Sequence, residues 1–85
     1  MVILAISTAG LQDALRLAEG RDANVWCGAD AISEAEYAAL KNSRLSRFIY
    51  PLQGQEPDVL AGAIDTVEEH HPGETLWIEK NAPEL

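Results

Sequence analysis

The stretch VILAISTAG, residues 2–10, decides the fold of this chain. Residues 2–6 are continuously apolar, which is typical of a strand buried on both faces at the centre of a parallel sheet. A small polar turn follows, and the next apolar residues recur with helical spacing on one face. These residues are Leu11, Ala14, Leu15 and Ala18. The stretch therefore predicts a buried strand that passes through a tight turn into a helix.

The rest of the chain alternates between strand and helix signals. Gly20 stands where a left-handed residue commonly ends a helix. Ser33 and Glu36 have the spacing of a capping box, which predicts a helix that begins at Glu34. Pro57 has the first position of a last helix, which we expect to run to about Glu69. The remaining predicted strands are residues 24–28, 46–50 and 75–79.

This βαβαβαβ order predicts a small α/β domain, residues 1–85, in two or three layers. Strands separated by helices favour parallel pairing with right-handed crossovers. With the first strand central, we expect a mainly parallel four-stranded sheet of order 2-1-3-4. The alternative is a ferredoxin-like α+β sandwich, in which residues 30–44 form a helical excursion between two antiparallel strands.

The net charge of −8 is concentrated in the last third of the chain. Residues 1–55 carry six acidic and five basic side chains, whereas residues 56–85 carry eight acidic side chains and one lysine. Such a negative field repels nucleic acid and anionic membranes, and it favours a basic protein partner. No segment approaches the roughly 20 apolar residues of a membrane span. The single cysteine, Cys27, allows no intrachain disulfide, which favours the cytoplasm.

The pattern favours a non-enzymatic protein-binding module, such as a regulator, an inhibitor or an immunity-type protein. The predicted contact face is the acidic side of the last helix, opposite its apolar stripe. Its residues are Asp58, Asp65, Glu68 and Glu69. We expect no catalytic residues, cofactor or metal site. Leu17 lies off the apolar stripe of the first helix, and Trp26 and Trp77 fall on edge strands in the order 2-1-3-4, so a homodimer is an alternative assembly.

A different class of function would use the turn after the first strand. In an open parallel sheet, ligands bind beyond the carboxyl ends of the strands, where the strand order reverses. In the order 2-1-3-4, that point brings together two sets of small and amide side chains. They are Ser7, Thr8 and Gly10 from one turn and Gln53 and Gln55 from another. The alternative is thus a small-ligand or anion-binding module, or a weak enzyme, although the turn carries no lysine or arginine.

Overall fold

The computed structural model describes residues 1–80, which form four strands and three helices. In chain order, the elements are β1 (Val2–Ala5), α1 (Thr8–Ala18), β2 (Asn24–Cys27), α2 (Glu34–Leu40), β3 (Leu45–Arg47), α3 (Pro57–His70) and β4 (Leu76–Ile78).

All the strand pairs in the sheet are parallel, and the strand order is β3-β2-β1-β4. Strand β1 is buried along its whole length and has a neighbour on each side. The predictions of a parallel α/β sheet and of a central first strand are therefore confirmed. The ferredoxin-like alternative is wrong, because it requires antiparallel pairs.

The predicted order 2-1-3-4 is also wrong. Strand β3 pairs with the outer side of β2, in a register that places Leu45 beside Val25, and β4 takes the position next to β1. The polarity of the strands explains this arrangement, because β3 carries Ser46 and Arg47, and a charged side chain is more easily accommodated at a sheet edge. Strand β2 has no charged residue and can lie inside the sheet.

The alternation of side chains along β1 divides the core into two layers. Ile3 and Ala5 pack on the side of α1 and α2, in a cluster that includes Leu11 and Ala14. Val2 and Leu4 face α3 and pack with its buried residues, which are Ala63 and Val67. The domain thus has three layers, as right-handed crossovers require when the chain crosses the sheet in one direction twice and then returns.

The predicted helix ends are confirmed by the local geometry. Ser33 is the N-cap of α2, and its hydroxyl accepts a hydrogen bond of 3.1 Å from the backbone N–H of Glu36. Gly20 follows the end of α1 with a positive φ of 73°, which glycine adopts without strain. Pro57 is the first residue of α3, where its missing N–H has no intrahelical partner to lose.

We expect Ser33→Ala to destabilise the protein by about 1 kcal/mol, because the N–H of Glu36 loses its acceptor. Ser43 is exposed and makes no side-chain hydrogen bond within residues 1–80, so Ser43→Ala is the matched control. Urea denaturation measures both variants. Equal midpoints for the two variants would contradict the capping role of Ser33.

Candidate functional site

The sheet reverses its strand order between β1 and β4, and the turn after β1 lies at that point. Glu79 follows β4, and its carboxylate accepts the hydrogen bonds that this turn donates. Glu79 Oε1 accepts hydrogen bonds from the backbone N–H groups of Ile6 at 2.6 Å and Ser7 at 2.8 Å, and Oε2 accepts one from Ser7 Oγ at 2.6 Å. The Ser7 hydroxyl in turn caps α1 by accepting from Gly10 N at 2.9 Å. The predicted anion site therefore holds an anion from the chain itself.

These contacts set the ionisation of Glu79. Partial burial acts to raise the pKa of the carboxyl, but the hydrogen bonds from Ser7 and Ile6 outweigh it, and the net effect lowers the pKa. Gly10 allows the approach, because a Cβ at this position would overlap the Glu79 carboxylate. The turn thus requires glycine at position 10 and the carboxylate of Glu79, which is distant in the sequence.

The structure separates the two halves of the predicted ligand site. Gln53 lies in the loop after β3, where Asp30 accepts hydrogen bonds from the backbone N–H groups of Leu52 and Gln53, both at 3.1 Å. Gln55 donates to the backbone of Gln53 and lines a shallow groove against the start of α3. This loop follows β3, and β3 is separated from β1 by β2. The expected convergence with Ser7, Thr8 and Gly10 depended on the incorrect strand order.

The acidic residues of α3 project away from the core. Asp58, Asp65, Glu68 and Glu69 are all exposed, whereas Ala63 and Val67 on the other side of the helix are buried. The ion pairs within residues 1–80 involve other carboxylates, which are Asp13, Asp22 and Glu74. The α3 face is therefore a group of solvated negative charges that has no basic partner in the described part of the chain.

A polar network connects α3 to the amino end of the sheet. Trp26 Nε1 donates to His71 Nε2 at 3.1 Å, and the other ring nitrogen of His71 lies 3.2 Å from Glu74. Glu74 also contacts the N-terminal amino group at 3.1 Å. The hydrogen bond with that group, and to a smaller extent the one with His71, lowers the pKa of the Glu74 carboxyl. Trp26 is half-buried and lies on β2, which has a strand on each side, so the expectation that it occupies an edge strand is wrong.

Two residues with chemical potential have structural roles. Cys27 is a buried free thiol, and burial raises its pKa to about 11, so it is a poor nucleophile at neutral pH. The guanidinium of Arg47 donates to the backbone carbonyls of Ile32 at 2.8 Å and Ala29 at 3.0 Å, which fixes the loop before α2. Within residues 1–80, no group of three or more His, Cys, Asp and Glu side chains has a metal-binding arrangement.

No protein-family model, curated protein or solved structure matches the chain significantly. No helix formed by residues 1–80 is long and apolar enough to cross a membrane.

Sequence reasoning missed Glu79 as the ligand of the first turn. The partners are 72 and 73 positions apart, so local spacing contains no signal for the contact. The one available signal was the polarity pattern of the strands. It assigns β3, which carries Ser46 and Arg47, to an edge of the sheet, and this leaves room for β4 beside β1.

We expect the stability of the protein to fall as the pH drops below about 4.5, the ordinary pKa of a glutamate. The lowered pKa of folded Glu79 stabilises the native state above the unfolded value, and this contribution is lost as the pH falls through the folded pKa. Urea denaturation between about pH 6 and pH 3 should show a smaller loss for Glu79→Gln than for the wild type. Glu74 and Asp22, whose pKa values are also lowered, retain part of the slope. Parallel curves for the two proteins would contradict this role of Glu79.

We expect Gly10→Ala and Glu79→Ala to be strongly non-additive. Each should cost about 1–3 kcal/mol, because either change removes the charged acceptor from the turn. In the Glu79→Ala background, however, Gly10→Ala should be neutral or stabilising, since the overlap is gone and alanine is the better helix former. A double-mutant cycle by chemical denaturation measures the coupling. Additive effects would show that Gly10 and Glu79 act independently.

Proposed function

We propose that the chain is a non-enzymatic binding module that recognises a basic protein surface with the acidic face of α3. The observation that carries this proposal is the exposed group Asp58, Asp65, Glu68 and Glu69, none of which forms an ion pair within residues 1–80. A regulator, an inhibitor or an immunity-type protein is the expected class. The buried free thiol of Cys27 supports action in the cytoplasm.

The geometry of the helix supports a continuous contact surface. Residues 58 and 65 are two turns apart, and 69 follows one turn later, so three carboxylates form a row along one side of α3. Ala61 and Gly62 are exposed beside this row and give it low relief. Asp65 and Glu69 repel each other at a spacing of four residues, which costs helix stability. A basic partner relieves that repulsion.

The alternative, an anion or small-ligand site at the first turn, has less support. Glu79 already occupies the donors of Ser7 and Ile6, and Gln53 and Gln55 lie beyond β2. An external anion would have to displace a carboxylate that belongs to the same molecule.

We expect the triple variant Asp58→Asn, Asp65→Asn, Glu69→Gln to lose the partner while keeping the fold. The full chain is the bait in a lysate of its native host, and bound proteins are identified by mass spectrometry. Retention of basic proteins should fall as salt rises from about 0.05 M to about 0.5 M, since exposed charge pairs are screened. With the captured partner purified, neutralisation should weaken the affinity at least about tenfold, chiefly through the association rate.

The matched control neutralises three acidic residues on the opposite layer, Asp13→Asn, Glu19→Gln and Glu34→Gln. It changes the net charge equally, so it separates a local contact from the overall field. Equal losses in the two triple variants would reduce the proposal to non-specific charge attraction. Unchanged capture by the α3 variant would exclude the acidic face.

A further inference from the structure

The outer edge of β4 combines open backbone hydrogen-bonding groups with exposed apolar side chains. Trp77 is 60% exposed and Ile78 is 43% exposed. No strand formed by residues 1–80 covers this edge, because β4 is the last strand of the sheet. The opposite edge differs, since β3 carries the charged Arg47, and a charged side chain on an edge strand discourages strand pairing.

From this edge we infer that the chain forms a two-fold symmetric dimer, in which β4 pairs antiparallel with β4 of a second copy around Trp77. The result is a continuous eight-stranded sheet. This assembly uses a surface different from the acidic face of α3 and does not depend on it.

The backbone hydrogen bonds allow this register. Thr75 O accepts from Val2 N, and Glu79 N donates to Leu4 O, both at 2.9 Å, so these residues direct their backbone groups toward β1. By the alternation of a strand, Trp77 does the same, while Leu76 and Ile78 direct theirs outward. A two-fold axis at Trp77 places Leu76 opposite Ile78 of the second copy. Each such pair exchanges two N–H···O bonds, and the two Trp77 residues form a close non-hydrogen-bonded pair.

Charge complementarity selects this register from its neighbours. With Trp77 opposite itself, continuation of the pairing beyond β4 brings Glu74, which also contacts the N-terminal amino group and His71, opposite Lys80 of the second copy at both ends. A shift of the axis by one residue to Leu76 would put Glu74 opposite Ile78, and a shift to Ile78 would put Glu79 opposite Trp77. Opposite charges directly across an antiparallel pair are favourable, so the Trp77 register is preferred.

The apolar surface around Trp77 continues onto the neighbouring helix. Met1, Ile3, Leu17 and Trp77 line a groove of about 250 Å³, together with Arg21. Leu17 is 55% exposed although it lies on α1 beside the sheet. In the antiparallel pair, both Trp77 rings lie on this side of the sheet, so the two grooves become neighbours. Tryptophan at the centre of a self-complementary patch is the kind of residue that dominates association energy.

Sedimentation of the full chain from about 5 µM to about 1 mM tests the dimer, a range that covers the weak affinity of a short interface. The average mass should rise from the 9.2 kDa of the monomer toward twice that value. Trp77→Lys should weaken dimerisation at least about tenfold. Ile49→Lys is the matched control, because Ile49 is 91% exposed in the loop that follows β3, away from β4, and the change should have no effect. A protein that remains monomeric throughout, or equal effects of the two lysine variants, would overturn the proposal.

Salt separates this dimer from the proposed partner binding. Each copy carries a charge of −8, so added salt reduces the overall repulsion between copies while it screens the two Glu74–Lys80 pairs, and the dimer should lose much less affinity with salt than partner capture does. The triple neutralisation on α3 should likewise leave the dimer intact. Failure of partner capture therefore leaves the dimer standing, and the reverse also holds.

Cross-linking tests the register directly. Under mild oxidation, Trp77→Cys should give a disulfide-linked dimer, because a central non-hydrogen-bonded pair brings its two Cα atoms within the range that a disulfide spans. Cys27 does not interfere, since it is buried and its thiol pKa is raised. Ile49→Cys is the control. If it cross-links as fast as Trp77→Cys, or if Trp77→Cys does not cross-link, the Trp77 register is wrong.

Discussion

The contact between the Glu79 carboxylate and the turn at Ile6 and Ser7 links the two ends of the described chain at the centre of the sheet. Two backbone N–H groups and one hydroxyl converge on a single charged side chain. Hydrogen bonds to a charged group are among the stronger polar contacts in a folded protein. Because Ser7 also caps α1, the same side chain connects the last strand, the first turn and the first helix. In other open α/β sheets, the turn at the reversal of strand order binds a ligand, whereas here it binds a side chain of the same molecule and stabilises the fold.

The strand order determines which surfaces remain available. The return of the chain over β2 and β1 places α3 alone on one side of the sheet, with its charged face outward. The same return leaves β4 at an edge, with Trp77 on the side of α1. The acidic face and the apolar edge therefore belong to different sides of the molecule. They also differ in physical character, since the first consists of exposed carboxylates and the second combines open backbone groups with exposed apolar side chains.

Local features of this fold could be predicted from the sequence, and long-range ones could not. The uninterrupted apolar run of residues 2–6 predicted a central strand, and Ser33, Gly20 and Pro57 predicted helix ends, because each signal acts within a few residues. The strand order depends on how whole strands pack in three dimensions, and its one sequence signal was the polarity of Ser46 and Arg47 in β3, which periodicity within each element does not reveal. For the candidate sites, the exposure of Asp58 and Asp65 followed from helical spacing. The expected proximity of Gln53 to Ser7 rested on the predicted strand order, and in the observed order β2 lies between the strands that these residues follow.

The pairing of β1 with β4 has a consequence for how the protein folds. Val2 pairs with Leu76, so β1 obtains its second neighbouring strand only when two segments far apart in the sequence come together. Closing so long a loop costs more entropy than closing a local one, and folds rich in such contacts form slowly. During synthesis, β1 can pair with β2 early, but its other edge stays open until residues 76–79 have emerged. Strand β1 is continuously apolar, and it completes its pairing only after β4 has been synthesised. Until then its open edge can pair with other chains, which favours aggregation.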